Sequence, residues 1–78
     1  MNAEKYYLRY DEARKRIAIN IVNLRKSTGM TLEEASIKIQ MSSKQLETME
    51  QGHKINSVSN LLKIANGYEV DIQELFKK

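Results

Sequence analysis

The residues with the greatest capacity for specific noncovalent chemistry lie close together near the middle of the chain. Ser42, Ser43, Lys44, Gln45, Glu47 and Thr48 bring hydroxyl, ammonium, carboxamide and carboxylate groups into one short stretch. These groups donate or accept hydrogen bonds and attract or repel charge, which suits recognition of polar edges and anions. Covalent catalysis has no comparable set. His53 is the single histidine, there is no cysteine, and neither a glycine-rich phosphate loop nor a carboxylate cluster occurs, so an enzyme is not expected. The same counts exclude a disulfide framework and a Cys/His zinc site; no metal and no cofactor is expected. A second grouping stands near the start of the chain, where Tyr6, Tyr7 and Tyr10 hold three of the four tyrosines and Arg14-Lys15-Arg16 follows. Aromatic rings with a polar tip suit interfaces, so Tyr6, Tyr7 and Tyr10, with Phe76, form a candidate dimer contact. The alternatives are packing of the same tyrosines on the last helix, or an arm laid on nucleic acid.

The elements that must position these residues are helices. With no proline and three glycines in 78 residues, strands bounded by turn residues are hard to place. From about Glu4 to Ser27, apolar side chains at Tyr10, Ala13, Ile17, Ile21 and Leu24 recur at steps of three and four, the stripe of a helix facing a core, and Gly29 ends it. Thr31 with Glu34 makes a capping box that opens a short second helix over Leu32 to Ile39. Ser42 with Gln45 repeats the device before a third helix that turns Leu46 and Met49 inward and stops at Gly52. A fourth begins at Ser57 with Val58, Leu61, Leu62, Ala65 and Tyr68 inward, and Asp71 with Glu74 caps a last one carrying Ile72, Leu75 and Phe76. The expectation is an all-α bundle of five helices. A chain this short buries roughly 60% of its unfolded surface, so its single core is thin. Charged residues make up 29% of the chain, no apolar run approaches a membrane span, and no signal peptide is evident, which reads as a cytoplasmic domain.

Two short helices joined only by Gln40 and Met41, the second opening on small polar residues, have the arrangement of a helix-turn-helix. The run from Gly29 to Gly52, GMTLEEASIKIQMSSKQLETMEQG, resembles without a gap the Cro/XRE-type, lambda-repressor-like DNA-binding domain. The likeness continues through Ser57, Leu61, Leu62, Lys63, Ile64, Ala65, Val70, Glu74, Leu75 and Phe76, and back to Ile21, Leu24 and Arg25. It covers about four-fifths of the chain. The resemblance implies a five-helix lambda-repressor-like bundle in which helices two and three form the helix-turn-helix. Residues 1–12 extend the first helix and residues 13–78 form the DNA-binding domain. It implies that Ser43, Lys44, Gln45, Glu47 and Thr48 face the major groove from the recognition helix. Thr31, Gln51, His53, Lys54 and Ser57 fall at positions that contact the DNA backbone, and Arg25 with Glu50 matches a partly buried ion pair joining helix one to the end of helix three. Lys44 and Gln45 have the right groups for guanine and adenine edges, and free N–H groups at helix starts attract phosphate.

Four positions depart from the family pattern. Leu32 stands where a glutamine usually braces the recognition helix and touches phosphate, and Ser36 where a small residue, mostly alanine, lets the two helices approach. Gln40 replaces the glycine of the turn, where a left-handed backbone would cost about 1 kcal/mol, and Asn56 replaces a proline before helix four. Charge is also unevenly placed. The net +3 divides into +4 over residues 1–28, with seven basic and three acidic side chains, and −1 over residues 29–78, with six and seven. DNA affinity rests largely on neutralised phosphates, so a monomer would bind weakly unless Arg14 to Arg16 and Lys26 also face the duplex.

These residues together lead us to expect a small transcriptional regulator, prokaryotic or phage-encoded and nucleoid-associated. It would bind operator DNA through the recognition helix as a homodimer, with no membrane or small-molecule ligand. The alternative, motivated by Leu32 and the acidic balance of residues 29–78, is the same fold serving as a protein-interaction co-regulator or antagonist without strong DNA binding.

Overall fold

The computed structural model describes residues 3–53 and 57–78, with side chains from residue 10 onward. Four α-helices occur in this part of the chain: α1 (Ala3–Thr28), α2 (Leu32–Ile39), α3 (Ser43–Gln51) and α4 (Val58–Gly67). The expected fifth helix is instead a single 3-10 helix, Ile72–Phe76. The Asp71 side chain makes no capping bond; the turn is held by a backbone bond from Glu74 N to Asp71 O at 2.9 Å. Five residues are too few to offset the cost of nucleating an α-helix, and i→i+3 bonds suffice for one turn.

The helix starts follow local chemistry. At α2 the Glu34 backbone N–H donates to Thr31 Oγ1 at 3.1 Å, and the Thr31 N–H donates to Glu34 Oε1 at 2.9 Å, a complete capping box. The Ser42 cap of α3 is one-sided, accepting from Gln45 N at 3.0 Å, and Ser57 accepts from Asn60 N at 3.2 Å at the start of α4. Gly29 (φ +74°) ends α1. Gln40 ends α2 in the left-handed conformation, φ 66° and ψ 49°, although it has a side chain. Two backbone bonds hold it there, Gln40 N to Ile37 O at 3.2 Å and Met41 N to Ser36 O at 3.0 Å, the paired pattern of a Schellman turn.

One core joins these elements: Ile17 and Ile21 of α1, Ala35 and Ile39 of α2, Leu46 and Met49 of α3, Leu61 and Ile64 of α4, with Tyr68 and Leu75. α1 packs on α3 and on the 3-10 helix, α2 on α3 and α4, and α4 on the 3-10 helix. Asn20 fastens the last turn to α1, its Nδ2 donating to the carbonyls of Leu75 at 2.9 Å and Lys77 at 2.8 Å. Four residues expected in the core are exposed instead. Tyr10 is exposed because the buried stretch of α1 starts only at Ile17. Val58 is exposed at the first position of α4, and Leu62 sits about 100° around the helix from buried Leu61. Phe76 follows buried Leu75 in a turn tight enough to rotate it outward. No helix among the described residues is long and apolar enough to cross a membrane.

Candidate nucleic-acid interface

α3 has two faces of opposite character. Leu46 and Met49 are buried in the core, whereas Lys44, Gln45, Glu47 and Thr48 are exposed and Ser43 is half-buried. The Thr48 hydroxyl donates to Lys44 O at 2.9 Å, which fixes its rotamer and leaves its oxygen able to accept. Gln51 reaches Glu47 at 3.5 Å across one turn, so these two polar groups lie side by side on the outer surface. Thr31, Gln51, His53 and Ser57 are all exposed, while Lys54 lies outside the described residues. The hydroxyls of Thr31 and Ser57 each cap their own helix. Among the described residues no group of three potential metal ligands occurs.

Two arginines of α1 hold the far end of α3. Arg25 grips Glu50 with both arms of its guanidinium, Nε to Oε2 at 2.8 Å and Nη2 to Oε1 at 3.0 Å. Nη1 adds a long bond to Met30 O at 3.4 Å. The pair is shielded, with side-chain exposures of 21% for Arg25 and 10% for Glu50, and the hydrogen bond to Glu50 raises the Arg25 pKa. Arg14 lies 11 residues earlier on the same face, about three helical turns away. Its Nη1 donates to Gly52 O at 2.6 Å and its Nη2 to Asp11 at 3.1 Å. A cation at the carbonyl end of a helix opposes the negative end of the dipole.

Gly52 is required at this contact twice over. It is left-handed (φ +71°), and a Cβ there would fall 2.8 Å from the Ala18 Cβ of α1. Arg14 is thus committed to α3 rather than free to meet phosphate; its neighbour Lys15 is exposed and Arg16 half-buried. Read as part of a basic run, Arg14 gave no hint of this role, which joins it to a carbonyl 38 residues away.

Three of the departures from the family pattern, Leu32, Ser36 and Gln40, are accommodated in the structure, and Asn56 lies outside the described residues. Leu32 is half-buried against the core cluster. Ser36 is buried and returns its hydroxyl to Glu33 O at 2.7 Å, so it satisfies itself within its own helix. Beside the ion pair, burial pushes the Tyr68 hydroxyl up to about 12, with the nearby Glu50 charge adding to the shift, and the hydroxyl has no hydrogen-bond partner among the described residues.

The paired α2 and α3, braced by α1 and α4, define a helix-turn-helix domain. In its arrangement it resembles the Cro/XRE-type, lambda-repressor-like form. The chain is similar to the crystal structure of an HTH_3 family transcriptional regulator from Vibrio cholerae, with a TM-score of 0.78 and 30% sequence identity over 85% of this chain. It spans 37% of that regulator's chain. No family model and no curated protein matches the sequence.

Proposed function

We propose that this chain is a DNA-binding domain of a transcriptional regulator that reads operator DNA through the outer face of α3 and binds as a homodimer. The observation that carries the reading is the division of α3. It buries Leu46 and Met49 and turns Lys44, Gln45, Glu47 and Thr48 outward, while Arg14 and Arg25 fix its C-terminal end. A helix so mounted fits the major groove, where Lys44 can meet guanine O6 and N7, Gln45 adenine, and Glu47 the cytosine amino group. Backbone N–H groups at the starts of α2 and α4, beside Thr31 and Ser57, offer phosphate contacts. The similar regulator from Vibrio cholerae supports a role in transcription.

Residues 29–78 carry a net charge of −1, so one domain neutralises few phosphates. A two-fold dimer presenting two copies of α3 about 34 Å apart would offset this. Tyr10 and Phe76, 48% and 45% exposed, are the aromatic surface available for such a contact, with Tyr6 and Tyr7 on the same helical extension. Selection from a randomised duplex library is expected to return a palindrome with half-sites about 10 base pairs apart. A library with no enriched sequence would overturn the reading.

A further inference from the structure

A second surface lies on α1, beside the C-terminal end of α3. Ile19 is 59% exposed at the centre of one helical stripe, with Val22 one turn on, and this apolar centre has Lys15 one turn before it and Lys26 one turn after Val22. Shallow grooves run along both sides. One, of about 440 Å³, lies between this stripe and Glu50 to Gly52 at the end of α3; the other, of about 470 Å³, lies between the stripe and Lys77 and Lys78. Both include Lys15, Ile19 and Asn23 in their walls, so they form one surface astride Ile19.

The charge on this surface is one-sided. Glu50 is consumed by Arg25, Lys77 is paired with Glu74, and Glu12 is the remaining carboxylate in the walls. Against it stand Lys15, Arg16 and Lys78, with Lys26 at the far end, none of them in an ion pair among the described residues.

We infer that this surface docks an acidic amphipathic helix of a partner protein, its apolar residues seated on Ile19 and Val22 and its carboxylates set against Lys15, Arg16 and Lys26. An apolar stripe ended by lysines matches a helix with leucine-like anchors at i and i+3 or i+4 and acidic residues beyond them. Duplex DNA is a poor occupant, because phosphates offer nothing to cover an exposed isoleucine and valine. A second copy of the chain is a poor occupant too. Two-fold antiparallel pairing of this stripe would set Lys15 of each copy against Lys26 of the other, and like charges brought together select against a partner. The inference does not depend on the reading of α3, which could bind DNA without it.

The test is titration of the isotope-labelled full chain with a synthetic acidic helix of about 14 residues, leucines at i and i+4 and glutamates elsewhere on that face, followed through backbone amide shifts. Saturable shifts are expected in residues 15–26 and 50–52, with binding weakened at least about tenfold by Ile19→Asp. Because Ile19 is exposed, that variant should melt at the parent temperature, which separates lost docking from lost folding. The double variant Lys15→Glu, Lys26→Glu should lose the acidic helix and gain its lysine-substituted counterpart. Absence of saturable shifts up to about 1 mM peptide would overturn the inference. So would equal binding by Ile19→Asp, or shifts of the amides of residues 15–23 on dilution of the protein alone or on addition of duplex DNA.

Discussion

Glu50 illustrates how much of this domain rests on single side chains. Its carboxylate takes both arms of Arg25 and is almost fully shielded, so removing it strands a guanidinium that has little water to replace the lost acceptor. Glu50→Ala is expected to cost about 2 kcal/mol, measured by urea unfolding, and to weaken any binding that needs α3 held in place. Tyr68 is the opposite case. Its hydroxyl is buried with no hydrogen-bond partner among the described residues, so Tyr68→Phe should leave stability unchanged or raise it by up to about 1 kcal/mol. The same hydroxyl sets an alkaline limit. Its pKa is raised to about 12 in the fold from an ordinary 10, so the folded state holds the proton more tightly than the unfolded one. The stability this confers is complete below about pH 10 and declines as the pH rises toward 12; in Tyr68→Phe that part of the decline should disappear from a pH series of melting curves. At the acid end, the Thr31 backbone and hydroxyl hold the Glu34 carboxyl below its ordinary value, so its contribution is present above that value and fades as the pH falls through the folded one.

The helices themselves were legible in the sequence wherever a local signal was strong, and less so where tertiary geometry decided. Thr31-x-x-Glu34 and Gly52 marked boundaries that depend on neighbouring atoms alone, and the structure places caps there. The weaker pattern at Asp71 and Glu74 opens only a 3-10 turn, because five residues give α-helical bonding too little length to propagate. Apolar spacing identified Leu61 and Ala65 but also pointed to Val58, Leu62, Phe76 and Tyr10, since periodicity does not say where a neighbouring element ends. The bond from Arg14 to Gly52 joins residues 38 apart and has no local signature.

Two turns test the element packing. Gln40→Gly should stabilise the domain by about 0.5–1 kcal/mol by relieving a left-handed side-chain residue, read as a higher denaturant midpoint. Gly67→Ala should do the reverse by about 1–3 kcal/mol, because its methyl would overlap the Ile39 side chain and sit 3.1 Å from the Ile39 Cα, forcing α2 and α4 apart.

At the scale of the whole molecule, the governing feature is the separation of charge from the reading face. The chain is net basic, yet the excess lies in residues 1–28, and part of it, Arg14 and Arg25, is spent on bracing α3. A single domain is therefore poorly supplied for phosphate neutralisation, and the proposed two-fold assembly would supply a second reading head. Removal of residues 1–12 is expected to convert a dimer to a monomer in sedimentation equilibrium while leaving helical content of the remaining residues intact; an unchanged dimer would move the contact away from the tyrosines. The central claim, that the outer face of α3 reads DNA sequence, is tested most directly by fluorescence anisotropy against duplexes from the region upstream of its own coding sequence, at low and moderate salt. The account predicts preference for one duplex over its scrambled counterpart, weakening with salt, and loss of that preference in the triple variant Ser43→Ala, Lys44→Ala, Gln45→Ala, whose exposed or half-buried positions leave the fold intact. Equal binding of all duplexes, with the triple variant indistinguishable from the parent, would contradict it.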